Sequence, residues 1–180
     1  MRATLELIGE NGFHNTSMSM IAESAGVAAG TIYHYFKNKD ALINELNIDF
    51  EKSITSTITE GYNQEKPVRE RFLHMTKCLI QYYIEHPLEF RFVQQFYTSP
   101  YGVLHRRTNI HKRSNNDIFH KLAQEGIAQQ VIKDLPIILL QAIAFGPMVT
   151  VMYDHILGFL TLDDSLIERT AEACWDAIRR

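Results

Sequence analysis

The sequence predicts an all-α protein of about nine helices, and three observations carry that reading. Apolar residues recur at spacings of three and four through most of the 180 residues, the period of a helix with one buried side. No run of alternating apolar and polar residues is long enough to build a sheet. Breaking chemistry at Asn11-Gly12, Gly26, Gly61, His86-Pro87 and Gly126 cuts the chain into pieces of helical length. There are no internal repeats and no low-complexity tract, and an apolar content of 46% is ample for a core. The expected organisation is a small helical domain over residues 1–45 and a larger one over 46–180.

The first element runs from Thr4 to Glu10 with Leu5 and Ile8 inward; Asn11-Gly12 stops it and Phe13 locks the end. Met18, Ile21, Ala22 and Ala25 then share one face of a short helix that Thr16 or Ser17 can cap. Gly26 ends it cheaply in a left-handed conformation. Val27 turns inward, and a second helix follows from about Ala28 to Phe36, with Ile32, Tyr35 and Phe36 on its inner side. Ala29, Gly30, Tyr33, His34 and Lys37 share the outer side. The small residues 28–30 allow a close approach, and Tyr33, His34 and Lys37 supply donors. Such a pair of helices fits a DNA major groove N-terminus first, with its amides near phosphate. The plainer reading of the same pattern is an αα-hairpin with an exposed polar face.

The stretch AESAGVAAGTIYHYFKNKDALI, residues 22–43, resembles the DNA-binding domain of TetR-family transcriptional regulators. The match rests on Ala22, the Ala25-Gly26-Val27 turn, Gly30 to Tyr33, Tyr35-Phe36, Lys37 to Lys39 and Leu42. Gly12-Phe13 and Thr16-Ser17 fit the same pattern, and the match covers about Leu5 to Leu46. The resemblance implies a ligand-responsive regulator, a repressor in most cases, that binds a palindromic operator as a homodimer and is released by a small molecule. It implies DNA contacts at Ser17, Ser19, Ala28, Ala29, Gly30, Thr31, Tyr33, His34, Tyr35 and Lys39. Of these, Thr31, Tyr33 and Lys39 suit phosphates, and His34 with residues 28–30 suits base edges. The alternative is a DNA-binding or protein-interaction module of the same fold without an effector.

Charge complicates this picture. The whole chain carries −3, and residues 1–45 hold Arg2, Lys37 and Lys39 against Glu6, Glu10, Glu23, Asp40 and Glu45. Either few, well-placed phosphate contacts suffice, or a basic arm is missing and the first helix is truncated; the second reading is favoured. No nucleophile–base arrangement, phosphate loop or metal spacing occurs, so an enzyme is not expected, and neither is a cofactor or metal. Cys78 and Cys174 read as buried small hydrophobes of a reducing cytosol, and no secretory signal opens the chain.

Downstream, Asn38 caps a long helix to about Glu60 whose stripe is Leu42, Ile43, Leu46, Phe50, Ile54 and Ile58. Pro67 opens the next, lined by Val68, Phe72, Met75, Leu79, Tyr82 and Tyr83 and ended by His86-Pro87. Leu88 to Tyr97 is short and aromatic, and Ser99 to Gly102 reads as a turn. Residues 103–121 form a basic run with Arg106, Arg107, Lys112, Arg113 and Lys121 and three histidines, His105, His111 and His120; a solvated face is the default reading. Gly126 is expected to break the following helix. Leu135 to Tyr153 is nearly long enough to span a bilayer, but Gly146-Pro147 interrupts it and Asp134 and Asp154 flank it, so burial on both sides is expected. Asp163-Asp164-Ser165 caps a last helix with the stripe Leu166, Ile167, Thr170, Ala171, Cys174 and Ile178.

Those last two helices are expected to pair across a dimer through Ala142, Gly146, Val149, Tyr153, Leu166, Thr170, Ala171 and Cys174. An apolar or aromatic effector is expected among Tyr82, His86, Phe90, Phe96, Gln141, Phe145, Met148 and Met152, with a polar group near His86, Gln94 or Arg106.

Overall fold

The computed structural model describes residues 1–107 and 117–180, and these residues are helical with short connections. The helices are α1 (Arg2–Asn15), α2 (Met18–Ser24), α3 (Ala29–Tyr35), α4 (Lys39–Thr59), α5 (Val68–Glu85) and α6 (Pro87–Thr98). Residues 100–107 form α7, followed by α8 (Ile118–Ala128), α9 (Ile137–Ile156) and α10 (Asp164–Ile178). His111, Lys112 and Arg113 of the basic run lie outside the described residues.

Packing gathers the chain into two compact units. The first holds Met1–Ile54 with α6 and α7; the second holds Thr55–Glu85 with α8, α9 and α10. Packing thus groups α6 and α7 with the N-terminal helices.

The core of the first unit is built from Leu5 and Ile8 of α1, Met18, Ile21 and Ala22 of α2, and Ile32 of α3. Leu42, Ile43, Leu46 and Phe50 of α4 and Phe92, Val93 and Phe96 of α6 complete it. Gly12, at φ +75° and ψ 171°, interrupts α1 where the glycine signal lies, although the chain is helical again to Asn15. That kink turns Phe13 into the core, where its ring meets Phe92 edge-on at 5.5 Å. Ser99 to Gly102, expected as a turn, instead starts α7. Pro100 lacks the N–H that a first helical turn leaves unpaired, and the Ser99 carbonyl accepts from Val103 N at 3.1 Å. A Cβ on Gly102 would lie 2.3 Å from the Phe96 carbonyl oxygen, so only glycine lets α7 seat this close on α6.

In the second unit α5 packs against α8, α9 and α10. Phe72 of α5 is fully buried, stacked on Phe145 at 6.0 Å and tilted against Trp175 at 5.5 Å. Asp163 caps α10 by accepting from Leu166 N at 2.8 Å. Two expectations are corrected here. Gly126 does not break a helix; it sits inside α8, where a Cβ would meet the Ile132 side chain at 2.5 Å, so its role is close packing. Gly146-Pro147 does not interrupt α9, which runs through both. Pro147 is exposed, so water can reach the carbonyl its ring frees.

Burial of α9 is one-sided. Leu140, Ala144, Met148 and Met152 are buried, while Ile138, Leu139, Ala142, Gly146, Tyr153 and Leu157 are exposed. Among the described residues α9 is the one helix long and apolar enough to cross a membrane, and 22% of its apolar window is buried.

Candidate nucleic-acid interface

The site grows from the ends of two short helices. Ser17 is extended and its Oγ accepts from Met20 N at 3.2 Å, which starts α2. Ser17 Oγ also lies 2.8 Å from Ser19 Oγ, so two hydroxyls stand together on the exposed surface. At the far end Val27 N donates to Ala22 O across Gly26, whose φ of +66° closes the turn. Ala28 is extended, and its carbonyl accepts from Thr31 N at 2.9 Å to open α3.

Every residue of α3 except Ile32 is exposed. Ile32 anchors the helix on the core; Ala29, Gly30, Thr31, Tyr33, His34 and Tyr35 face solvent. Nothing lies within 4 Å of the Cβ position of Gly30, so another surface can come against the backbone there. Tyr33 is 54% exposed and Tyr35 74%, with the His34 and Tyr35 rings 5.3 Å apart, edge to face. The pair leaves aromatic surface in water on a helix with a single core anchor.

Two inward assignments are corrected. Val27 is 41% exposed, and Tyr35 points outward. The backbone turns extended at Phe36 (φ −129°, ψ 118°), so Phe36 rather than Tyr35 packs against the core. Ala25, at the C-cap of α2, is exposed as well.

Lys39 has a role the sequence did not reveal. Its Nζ donates to Phe13 O at 2.7 Å and to Thr16 O at 3.0 Å. Thr16 Oγ1 donates to Gly12 O at 2.9 Å, so lysine and threonine together close the carbonyl end of α1. An ammonium has three protons, and these two bonds leave one for an outside acceptor. The signal was present, since a lysine in the first turn of α4 is unfavourable against that helix's dipole and calls for acceptors elsewhere.

The expected effector residues fall in both units. In the second, Tyr82, Met148 and Met152 are buried, and Phe145 packs between Phe72 and Phe119, 5.1 Å from the latter. In the first, Phe90 and Phe96 are fully buried, His86 and Gln94 are half-buried, and Arg106 is exposed over the Tyr97 ring at 5.6 Å. Gln141 is corrected: it is exposed. Of the expected dimer residues, Ala142, Gly146 and Tyr153 are exposed and Val149, Leu166 and Thr170 half-buried. Ala171 and Cys174 are corrected, because α10 turns them into its own unit's core with Ile167 and Trp175. Burial raises the Cys174 thiol above its ordinary pKa.

Comparison with known proteins matches both ends of the chain to one family, with α6 and α7 falling in the C-terminal match. Residues 1–46 match the family described as "Bacterial regulatory proteins, tetR family", and residues 67–179 match that described as "Tetracyclin repressor-like, C-terminal domain". An uncharacterized HTH-type transcriptional regulator of Haemophilus influenzae is 27% identical over 182 residues, spanning 99% of this chain and 92% of its own. A TetR-family protein of Vibrio parahaemolyticus, of known structure, is 32% identical, with a TM-score of 0.77 over 99% of this chain and 96% of that one. The regulator FadR of Bacillus subtilis, solved in complex with stearoyl-CoA, shares the fold at 22% identity, with a TM-score of 0.73 over 97% of this chain and 93% of that one. With both parts of its length matched and the exposed α3 set on its helical base, the chain belongs to the TetR family of transcriptional regulators.

Proposed function

We propose that the protein is a cytoplasmic repressor that binds a palindromic operator as a homodimer and leaves it when a small molecule binds. The observation that carries the DNA reading is α3, exposed everywhere but at Ile32. Thr31, Tyr33 and the remaining proton of Lys39 hold phosphates, and Ser17 and Ser19 do so at the start of α2. Ala28, Ala29, Gly30, His34 and Tyr35 face the bases. Small residues read by methyl contact and by DNA shape more than by hydrogen bonds. Two copies of α3 about 34 Å apart reach successive major grooves. Fluorescence anisotropy on an operator fragment tests this with Tyr33→Ala, expected to weaken binding about tenfold or more, the effect of losing roughly 1–3 kcal/mol. Unchanged affinity sinks the assignment.

The exposed side of α9 supports a dimer, since Ile138, Leu139, Tyr153 and Leu157 together form a large apolar surface beside the small Ala142 and Gly146. Nothing lies within 4 Å of the Gly146 Cβ position. Ala142→Arg, at an exposed position of the same face that already carries a Cβ, is expected to keep the single chain folded and to give a monomer by light scattering; a dimer of unchanged strength rejects this face.

FadR's stearoyl-CoA makes long-chain acyl compounds the first effectors to try. The aromatic and methionine core around Phe145, Met148 and Met152 can repack around an apolar chain, because methionine is unbranched and adaptable. An effector acts by binding better to an arrangement of the two reading heads that does not fit the operator. Operator release is measured with stearoyl-CoA for wild type, Phe145→Ala and Met148→Ala. Equal release of all three removes the effector from this core.

A further inference from the structure

The loop after α9 holds an aromatic ring out in water. Leu157 ends the helix and Gly158 follows at φ +79°. Gly158 N donates to His155 O at 3.1 Å, and Phe159 N donates to Asp154 O at 2.9 Å. Leu162 N donates to His155 Nδ1 at 3.2 Å, which ties the far side of the loop back to α9. A helix closed in this way commonly packs the residue after the glycine on its own last turns. Phe159 does not. It is 81% exposed, the most exposed large apolar side chain among the described residues. With its backbone already fixed, the ring loses little further freedom when a partner covers it, which suits a binding anchor.

The outer side of α9 leads up to this loop, and its pattern is symmetric. Leu139, Ala142, Gly146, Val149, Tyr153 and Leu157 run along the helix opposite the buried Ala144 and Met148. Gly146 and Val149 stand equally far from the Pro147–Met148 bond, and so do Ala142 and Tyr153; Leu139 and Leu157 match to within one residue. A second α9 laid antiparallel about that centre sets glycine against valine, alanine against tyrosine and leucine against leucine. Small residues then face large ones, and the two helices keep an even separation. Parallel packing sets tyrosine on tyrosine and brings two Asp154 carboxylates to two negative helix ends. The 20 residues of α9 make a helix about 30 Å long and about 10 Å across, so its face alone offers about 300 Å², against about 800 Å² per partner in a stable dimer. Groups beside the helix must join in, and Phe159 is the large apolar one at its end.

We propose that a second copy of the chain docks here with the two α9 helices antiparallel, the two-fold axis passing beside Pro147 and Met148, and that Phe159 closes over the start of the partner's α9. The surface it meets there is Pro136 and Ile138, both exposed in the single chain. The proposal rests on the reading of the protein as a homodimer and adds to it a register and an anchor.

Two measurements on the full chain test it. Sedimentation equilibrium gives the dimer Kd of wild type and of Phe159→Ser. The variant is expected to keep the wild-type Tm, because the ring is mostly in water, and to dimerise about tenfold or more weakly. Leu139→Cys and Leu157→Cys are then oxidised separately and as a mixture after subunit exchange, with wild type controlling for Cys78 and Cys174. A covalent dimer is expected in the mixture and in neither variant alone, because position 139 of one copy faces position 157 of the other. A covalent dimer of either variant alone, or none in the mixture, overturns the register and leaves the homodimer standing. An unchanged Kd for Phe159→Ser overturns the anchor in the same way. A wild-type chain that stays monomeric overturns the homodimer and this proposal together, and its flotation with phosphatidylcholine vesicles would assign the face to a lipid surface.

Discussion

Tyr101 donates a 2.8 Å hydrogen bond to Asp40 Oδ1, joining α7 to the first turn of α4 directly after α3. The same ring lies 5.4 Å from Phe13, and Phe13's carbonyl accepts from Lys39, the neighbour of Asp40. Gly102 seats α7 against the α6 backbone one residue later. Within the first unit, then, α7 is linked through one phenol to the turn that positions α3. Burial, reinforced by the Asp40 carboxylate, pushes the Tyr101 phenol up to about 12.

Tyr101→Phe keeps the ring against Phe13 and removes only this bond. The expected cost is about 0.5–1.5 kcal/mol of stability. The pH dependence separates the bond from general packing. A folded pKa above the unfolded value gives stability that is complete below about 10 and lost as pH rises towards about 12. Urea midpoints measured from pH 9 to 11.5 should fall more steeply for wild type than for the Phe variant. Parallel profiles would show that Tyr101 is not bonded to Asp40 in solution.

Lys39 separates stability from DNA affinity. Because Nζ serves Phe13 O and Thr16 O, Lys39→Met leaves two carbonyls at the end of α1 short of a donor. The expected loss of stability is about 1–3 kcal/mol, alongside weaker operator binding. Tyr33 is exposed, so Tyr33→Ala should weaken binding and leave the urea midpoint within about 0.5 kcal/mol of wild type. A Lys39→Met protein with unchanged stability would mean that the lysine points outward.

Asn47 carries an opposite expectation. It is 1% exposed on the buried side of α4, and among the described residues neither its amide nitrogen nor its oxygen has a hydrogen-bond partner. Asn47→Leu exchanges two unsatisfied groups for an apolar side chain of the same branching and somewhat larger size. Such an exchange is expected to stabilise by about 1 kcal/mol, a rise in Tm of about 2–4 °C for a chain of this size. A lower Tm would show that water or a moved neighbour serves the amide.

The helices were legible because their signals are local. Ser17 caps α2, Asn38 Oδ1 accepts from Ala41 N to cap α4, and Asp163 caps α10, each at the position its type and spacing indicate. What stayed hidden depends on contacts distant in sequence. Gly102 and Gly126 look like breakers in a one-dimensional reading, yet each is a helical residue that a remote neighbour keeps small. Lys39 reads as a free cation until the carbonyls of Phe13 and Thr16 come beside it. The α9 pattern shows that the helix is apolar all round, but not which side its own unit covers; that follows from α5 and α10 lying along Ala144 and Met148. Ala171 and Cys174 share the α10 stripe with Thr170, and periodicity alone cannot tell a stripe facing α5 and α9 from one facing a second copy.

The Arg71–Glu125 pair predicts how the second unit behaves in acid. The Arg71 hydrogen bond holds the Glu125 carboxyl below its ordinary value of 4.5, with the guanidinium's charge and a bond from Gln129 adding to it against the effect of burial. A depressed folded pKa gives stability that is present above about 4.5 and lost as pH falls through the folded value. Glu125→Gln removes the charge and keeps the shape. Because the Glu125 side chain is 39% exposed, solvent screens the pair, and the expected loss at pH 7 is about 1 kcal/mol. Below pH 4.5 the wild-type carboxyl itself takes up a proton, so the gap between the two proteins should close. Urea midpoints at pH 7, 5, 4 and 3 measure this, and a gap that stays constant down to pH 3 would assign the stabilisation to packing rather than to charge.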